Sequence, residues 1–380
     1  MRGGLAPDVR ATFRLDAGAP ARVPFEFSER RRIFVSVTVN GVATVALFDT
    51  GASSTVLDRA FAARIGVVAA RTIEARGFGG RATAGVGRDV ALGVGAARFE
   101  GLAPAILDLS DAARRSGHEI PVIVGEDVFE RAVVDVDVPD RTLAFLDPET
   151  FEPPPDATRV PLGRAGYLRT APVSVEGREE IAASVDLGCG YPLVLQHAYW
   201  SRAGLLERRR KSTGLALGVG GVFEQTAATL TAIRFGGVEF PGVPAGFLPV
   251  EAATPGARST PAVLGLPVLA RFHLWIDFPH DALHLRPDAA RLRSSFARDR
   301  LGLTLEAEPG VLRVIHVAAG SPAATAGFRV GELLAAIDGR AAASWTPPER
   351  RELGDRPVGT FVTIRMADGT SRRVVLADYY

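Results

Sequence analysis

Two aspartates stand at equivalent places in the chain. Asp49 opens Asp49-Thr50-Gly51 after one apolar run, and Asp186 opens Asp186-Leu187-Gly188 after another. Two aspartates held close together cannot both ionise, so such a pair shares one proton. The ionised carboxylate can take a proton from a bound water, while the protonated partner hydrogen-bonds to the carbonyl oxygen under attack. This pattern therefore predicts hydrolysis of a peptide bond by a carboxylate pair.

The two aspartates belong to an internal repeat. Its landmarks recur in one order, at offsets that drift by only five residues, from 136 to 141. They are Gly41 and Gly177, the two aspartates, Gly77-Phe78-Gly79-Gly80 and Gly218-Val219-Gly220-Gly221, and Ile123-Val124-Gly125 and Val263-Leu264-Gly265. A polar turn after a strand would explain the first Asp-Thr-Gly alone, but not this recurrence. The chain therefore contains a duplicated unit.

Each copy has the pattern of an all-β unit. Residues 35–39 and 133–145 alternate or run in β-branched residues, which is typical of strands. One short helix per copy is predicted, over residues 57–64 and 196–203. The proline-rich stretch 152–156 predicts a stiff spacer between the copies.

Over about residues 33–287 the repeat resembles the retropepsin-like and pepsin-like aspartic peptidases, in a bacterial two-lobed form. In that family each lobe supplies an Asp-Thr/Ser-Gly turn, a glycine-rich flap hairpin and a supporting hydrophobic-hydrophobic-Gly segment. The resemblance implies a mainly β fold of two pseudo-symmetric β-barrel lobes, with Asp49 and Asp186 as the catalytic dyad and no cofactor or metal. It assigns support of the dyad to Thr50, Gly51, Leu187 and Gly188, and substrate binding by the flaps to Gly77, Phe78, Gly79, Gly80, Gly218, Val219, Gly220 and Gly221.

Leu187 departs from the family pattern, which has Thr or Ser after the second aspartate. In the family that hydroxyl bonds across to the other lobe and braces the dyad. Leu187 cannot, which removes about 0.5–1.5 kcal/mol of direct hydrogen bonding, whereas Thr50 can still brace from its own side. Two hypotheses follow: an aspartic endopeptidase acting on polypeptide, or a weakened or inactive protein that only binds peptides. A scaffold whose function lies in its C-terminal segment is a third.

The C-terminal segment resembles a PDZ domain of the kind attached to bacterial exported proteases. Leu301, Gly302, Leu303 and Thr304 match its carboxylate-binding loop, and residues 320–327 match part of its central signature. Strands are predicted over residues 301–305, 313–317 and 361–366, with a short helix capped by Ser321. The resemblance implies that a C-terminal peptide adds to a sheet edge and that the domain assists substrate selection. A small domain that binds nothing is the alternative.

The predicted organisation is an N-terminal extension over residues 1–30, lobes over 31–151 and 152–290, and a PDZ-like domain over 296–380. The 44 Lys+Arg against 43 Asp+Glu give no support for a nucleic-acid binder. The longest uncharged stretch, residues 33–48, is too short for a membrane span. No signal peptide is visible, so an exported location is implied only by resemblance. Because one chain holds both lobes, a monomer is expected.

Three other features carry weaker hypotheses. Cys189 is the single cysteine, which excludes an intrachain disulfide, and it is predicted to pack as a small hydrophobe rather than act as a nucleophile. His280 and His284 are predicted to lie on a solvated strand face rather than bind a metal. The run Arg208-Arg209-Arg210-Lys211 is predicted to be a solvated loop rather than a phosphate-binding patch.

Overall fold

A computed structural model describes residues 11–17, 21–28, 31–252 and 260–380 of the protein. It consists mainly of β-strands, with short helices between them. The sequence prediction of a mainly β fold is therefore confirmed. We call residues 31–151 the first lobe, residues 152–290 the second lobe and residues 296–380 the C-terminal domain.

The first lobe, with the two strands that precede it, holds thirteen strands and three short helices among the described residues. The strands are β1 (Thr12–Leu15), β2 (Arg22–Ser28), β3 (Arg32–Val39), β4 (Val42–Phe48), β5 (Val56–Asp58), β6 (Arg71–Gly77), β7 (Gly80–Val86), β8 (Val90–Val94), β9 (Ala97–Leu102), β10 (Ala105–Leu107), β11 (Val122–Val124), β12 (Val133–Asp137) and β13 (Thr142–Leu146). The helices are α1 (Arg59–Arg64), α2 (Ser110–Ser116) and α3 (Glu126–Phe129).

The second lobe repeats this arrangement. Its strands are β14 (Thr158–Pro161), β15 (Gly163–Ala165), β16 (Leu168–Val175), β17 (Ile181–Asp186), β18 (Leu193–Leu195), β19 (Lys211–Gly218), β20 (Gly221–Phe235), β21 (Val238–Phe247), β22 (Ala262–Gly265), β23 (Phe272–Asp277) and β24 (Ala282–Pro287). Its helices are α4 (His197–Arg202), α5 (Leu266–Leu269) and α6 (Ala289–Leu292), with 3₁₀ turns at Val250–Ala252 and Phe278–His280.

The same strand pairing places both aspartates. In the first lobe β4 and β11 pair in parallel, with Phe48 opposite Val124, and Asp49 follows at once. In the second lobe β17 and β22 pair in parallel, with Asp186 opposite Gly265. The repeat seen in the sequence is therefore a repeat of topology, and it brings each aspartate to the end of a central strand.

The two lobes share one large sheet, in which the order β14-β24-β23-β12-β13-β2 joins strands of the second lobe to strands of the first. Most of their buried apolar side chains form one cluster that spans both lobes and includes Phe48, Phe129 and Phe272. Of the predicted N-terminal extension, β1 pairs with β9 while β2 pairs with β3 and β13. Residues 1–10, 18–20 and 29–30 lie outside the described residues. No helix among the described residues is long and apolar enough to cross a membrane.

The C-terminal domain has a separate core, built around Leu312, Val314, Leu334 and Ile364. Its strands are β25 (Leu303–Glu308), β26 (Val311–Val317), β27 (Leu333–Ile337), β28 (Arg340–Ala341), β29 (Phe361–Met366) and β30 (Ser371–Val375), with helices α7 (Pro322–Thr325) and α8 (Pro347–Asp355) and a 3₁₀ turn at Ala342–Ser344. The predicted cap of α7 is present, because the Ser321 hydroxyl accepts a hydrogen bond from the Ala324 amide.

Candidate active site

The turns after β4 and at the end of β17 face each other across the lobe boundary. A Cβ atom added to Gly51 would lie 2.6 Å from Asp186 Oδ2, and one added to Gly188 would lie 2.6 Å from Asp49 Oδ1. No real side chain tolerates such contacts with a neighbouring carboxyl group. Glycine at both positions is therefore what allows each turn to approach the aspartate of the other lobe.

Backbone amides orient the two carboxyl groups. The Gly51 amide donates to Asp49 Oδ1 at 2.8 Å, and the Cys189 amide donates to Asp186 Oδ1 at 2.9 Å. The carboxyl groups of Asp49 and Asp186 lie close enough for each to shift the pKa of the other. Two carboxyl groups this close cannot both ionise readily, which favours one shared proton.

The surroundings make the two aspartates unequal. Protein atoms that displace water raise the pKa of Asp49, and the Gly51 amide opposes that rise. The same loss of hydration, together with the negative charge of Asp49, raises the pKa of Asp186 well above its usual value. Both pKa values are therefore raised, which favours a proton within the pair.

One hydroxyl joins the two turns. Thr50 Oγ1 donates to the Val185 carbonyl oxygen at 2.8 Å and accepts from the Leu187 amide at 3.0 Å. The Leu187 side chain is fully buried in the shared core and has no group with which to return such a bond. A side-chain hydroxyl of the first lobe therefore links the two aspartate turns.

The supporting segments hold the turns from behind in the same way in both lobes. The Glu126 amide donates to the Ala52 carbonyl at 2.8 Å, and the Leu266 amide donates to the Cys189 carbonyl at 3.0 Å. A Cβ atom added to Gly265 would lie 2.7 Å from the Cys189 carbonyl oxygen. The glycine that ends each segment thus permits close packing against the turn.

The two glycine-rich segments form the tips of two hairpins, β6–β7 and β19–β20, and the tips touch. The Gly220 amide donates to the Phe78 carbonyl at 3.2 Å, and Gly80 faces the Gly220 backbone. Phe78 packs into an apolar cluster of the second lobe, whose members include Cys189, Tyr191, Val194, Phe223, Leu248 and Val263. In contrast, 42% of Val219 is exposed. The flaps meet, but only the first one inserts its tip side chain.

A family model described as Aspartyl protease matches residues 35–128 and 171–268, which together make up just over half of the chain. The chain belongs to the aspartyl protease family. Each matched segment of the protease contains one aspartate turn, one flap and one supporting segment. A search of curated proteins finds no significant match to the chain.

Cys189 lies beside the dyad of the protease as a half-buried, unbridged thiol. Its Sγ lies 3.6 Å from the Tyr191 carbonyl oxygen. Burial raises the pKa of the thiol far above its usual value, and the negative charge shared by Asp186 and Asp49 adds to that rise. The thiolate is therefore disfavoured, which agrees with the prediction that Cys189 packs as a small hydrophobe.

The prediction that His280 and His284 lie on a solvated strand face is wrong for His284. His284 is buried, with Nε2 3.2 Å from Asp277 Oδ2, whereas the exposed His280 places Nδ1 2.7 Å from Asp277 Oδ1. Both rings lie within hydrogen-bond distance of one buried carboxylate at the β23–β24 turn, but only His284 is itself enclosed by packing. Within the described ranges no group of three side chains could hold a metal ion.

The predicted solvated loop holds for only part of the basic run. Arg208, Arg210 and Lys211 are exposed, but Arg209 is half-buried. Its Nε donates to the Leu205 carbonyl at 2.9 Å, and its Nη2 lies 3.1 Å from Glu176 Oε2. Arg209 therefore fastens the loop to the second lobe.

The loop at Leu301–Thr304 was expected to present free amides to a peptide carboxylate. In the structure the Leu301 and Gly302 amides both donate to the Asp299 carboxylate, at 2.9 and 3.0 Å. The Tyr379 hydroxyl donates to the same group at 2.8 Å. An internal carboxylate thus occupies the amides of Leu301 and Gly302, while Leu303 and Thr304 pair with β26. A peptide terminus would have to displace Asp299.

Sequence reasoning did not find the polar residues behind the two turns. Asp127 accepts from the Thr55 amide and hydroxyl at 2.7 and 2.9 Å, and burial raises its pKa to about 6. Glu126 and Arg169 are both nearly inaccessible and approach each other from different lobes. The sequence does contain a signal for these residues. The acidic pair Glu126-Asp127 directly follows Ile123-Val124-Gly125, whereas apolar Leu266 stands at the equivalent place in the second copy.

Proposed function

We propose that this aspartyl protease is an endopeptidase in which Asp49 and Asp186 form the catalytic dyad. The observation that carries the proposal is the close approach of two equivalent turns, each of which holds its aspartate by a backbone amide and packs its glycine against the aspartate of the other lobe. A pair that shares one proton supplies a base and an acid at the same point.

In the proposed reaction the Asp49 carboxylate takes a proton from a water molecule, whose oxygen attacks the scissile carbonyl carbon. The Asp186 carboxyl donates its hydrogen bond to the carbonyl oxygen, which stabilises the charge that develops there. The leaving nitrogen then receives a proton from the dyad as the carbon–nitrogen bond breaks. The dyad ends with one shared proton, as it began.

The flaps support an extended polypeptide as the substrate. Their tips must separate to admit a chain, which breaks the bond between the Gly220 amide and the Phe78 carbonyl and withdraws Phe78 from the second lobe. Closure over a bound peptide would exclude bulk water from the dyad and strengthen its electrostatic interactions. Both flaps belong to one chain, so a monomer suffices for this cycle.

For the C-terminal domain we propose a PDZ-like module that assists substrate selection from beside the second flap. In support, Ser212 Oγ at the base of that flap donates to the Ala319 carbonyl at 2.6 Å, and Thr213 Oγ1 lies 3.0 Å from His316 Nε2. Since Asp299 fills two loop amides, selection by this domain would depend on its contacts with the flap. An exported location rests on resemblance alone and stays a prediction.

The test is cleavage of a denatured protein and of a random peptide library across about pH 3–8, the range over which a shared-proton dyad changes charge. Asp49→Asn and Asp186→Asn should each abolish hydrolysis, while Asp140→Asn, at an exposed hairpin, should retain it. Hydrolysis that survives both dyad substitutions would overturn the assignment. Peptide binding by the wild-type protein without hydrolysis at any pH would favour a binding protein instead.

A further inference from the structure

Behind the dyad, a buried polar contact joins the two lobes. Glu126, the first residue of α3, is 3% exposed, and Arg169, on β16 of the second lobe, is 1% exposed. Arg169 Nη1 lies 3.7 Å from Glu126 Oε1. Ionisable side chains are rarely buried to this degree unless they are paired, and Arg169 lies between Glu126 and Glu130 of the first lobe. Burial and the neighbouring Glu130 raise the pKa of Glu126 to about 8, so below that pH the contact joins a neutral carboxyl group to a charged guanidinium.

The rest of the Arg169 guanidinium strengthens this link. Its Nη2 donates to Glu130 Oε1 of the first lobe and to the Phe278 carbonyl of its own lobe, at 3.0 and 3.1 Å. Glu126 Oε1 and Arg169 Nη1 are buried and make no hydrogen bond, to each other or to another described group, so the other polar atom within reach of each is its neighbour at 3.7 Å. Arg169 of the second lobe therefore contacts a residue at each end of α3: Glu126 at its start and Glu130 just after its last residue.

Each end of this contact is tied to one catalytic turn. The Glu126 amide holds the turn after Asp49, through the Ala52 carbonyl at 2.8 Å. Arg169 precedes Thr170, which pairs with Ser184 two residues before Asp186. A displacement of Glu126 relative to Arg169 is thus transmitted directly to the spacing of the two turns.

The contact between Glu126 and Arg169 lies behind two turns that are linked by a hydroxyl from the first lobe only. Thr50 reaches from the first turn to Val185 and Leu187, but the buried Leu187 side chain returns no hydrogen bond. We propose that Glu126 and Arg169 are positioning residues that set the spacing of Asp49 and Asp186 and replace the brace missing at Leu187. This inference rests on the proposed endopeptidase function.

The test is rescue. Arg169→Met should lower kcat by between about tenfold and 100-fold with KM nearly unchanged, since a misplacement of about 1 Å at a catalytic group has an effect of that size. Leu187→Thr added to Arg169→Met should recover most of kcat, because by the pseudo-symmetry its hydroxyl would face the Phe48 carbonyl. Arg164→Gln is the matched control: it removes the Arg164–Glu130 pair, which also crosses the lobes but at 49% exposure of the arginine, and should leave kcat unchanged.

A double variant tests whether a loss of activity in Arg169→Met comes only from misfolding of the protein. Glu126→Met with Arg169→Met replaces both partners by apolar groups of similar length, which buried pairs tolerate with little loss of stability. It should keep the melting temperature within a few degrees of the wild type while lowering kcat, and Leu187→Thr should again restore it.

The outcomes separate the two proposals. If wild-type protein cleaves peptides but the Arg169 and double variants keep wild-type kcat, or if Leu187→Thr restores nothing, then Glu126 and Arg169 are structural only and the inference fails alone. If wild-type protein cleaves nothing, the endopeptidase proposal fails and takes the inference with it.

Discussion

Asp49 and Asp186 have the same chemistry and equivalent places in the two lobes. Loss of hydration raises the pKa of both, the negative charge of Asp49 adds to the rise at Asp186, and backbone amides oppose the rise at each. The proposed reaction assigns the base to Asp49 and the acid to Asp186. The sequence placed both aspartates in the same slot of a repeat, and their inequality follows from contacts across the lobes.

The first prediction is a bell-shaped dependence of kcat/KM on pH. As pH falls, protonation of Asp49 removes the base, and as pH rises, loss of the shared proton from Asp186 removes the acid. Both pKa values are raised from 3.8, so the acid limb should lie above pH 3.8 and the alkaline limb well above the acid one. The limbs report the pair as a unit. Steady-state rates on one peptide would measure this, and an acid limb below pH 3.8 would contradict it.

Cys189 gives a second prediction at this scale. Because burial and Asp186 raise the pKa of its thiol, iodoacetamide at about pH 8 should react much more slowly with the folded protein than with the unfolded chain. Mass spectrometry of the intact protein in buffer and in denaturant measures both rates from one sample. Equal rates would mean that the thiol is accessible and ionisable in the fold.

At the scale of elements, the boundaries follow local chemistry that the sequence shows. The first predicted helix begins at Arg59 rather than residue 57, because Asp58 accepts from the Ala60 and Phe61 amides as its N-cap. Strand β25 begins at Leu303 rather than residue 301, because the Leu301 and Gly302 amides bind Asp299 instead of a strand. Side-chain competition for backbone amides thus moved both boundaries by two residues.

The flaps carry a prediction of their own. A Cβ atom at Gly220 would overlap the backbone of Gly79 and Gly80, so Gly220→Ala should keep the tips from meeting. We expect kcat/KM to fall by about tenfold or more, because an open site loses the exclusion of water, with little change in melting temperature. Val222→Ala, at an exposed position of the same hairpin, is the control. Wild-type kcat/KM in Gly220→Ala would show that the tip contact has no part in turnover.

At the scale of the whole molecule, the C-terminal domain contacts both lobes. Ser212 of the second flap binds the Ala319 carbonyl, and Arg351 of α8 donates to the Arg115 and Ser116 carbonyls of α2 at 2.9 and 2.8 Å. Gly117, at the end of α2, packs against Pro347 and Pro348. The domain therefore bridges the first lobe and the second flap, a placement that its own sequence does not reveal.

The occupied loop of this domain leads to a further prediction. Asp299→Ala should free the Leu301 and Gly302 amides, so a peptide with a free C-terminal carboxylate should bind the variant more tightly than the wild type. The same peptide with an amidated C-terminus should not discriminate between them. Fluorescence anisotropy with labelled peptides measures both. Tight binding of the free carboxylate to wild-type protein would show that Asp299 does not block the loop.

The sequence by itself determined the duplicated β unit, the place of each aspartate at a strand end, and the glycines that let turns and flap tips approach. These features could be predicted because strand periodicity, turn residues and a repeat are properties of short segments read in order. Helix positions and the capped turn at Ser321 followed for the same reason.

The tertiary structure alone decided that the pKa values of both aspartates are raised, that Phe78 enters the second lobe, that Asp299 fills the loop amides, and that Glu126 meets Arg169. Each depends on a distance between residues far apart in the chain, or on the water displaced around them. Hydrogen bonds and pKa values depend on those distances and on burial. The local sequence pattern specifies neither the distance between remote residues nor the extent of their burial. Leu187 needed both kinds of information. The sequence showed that the second turn lacks a hydroxyl, and the structure showed that Thr50 alone links the two turns by a side-chain hydroxyl and that Glu126 and Arg169 lie behind them.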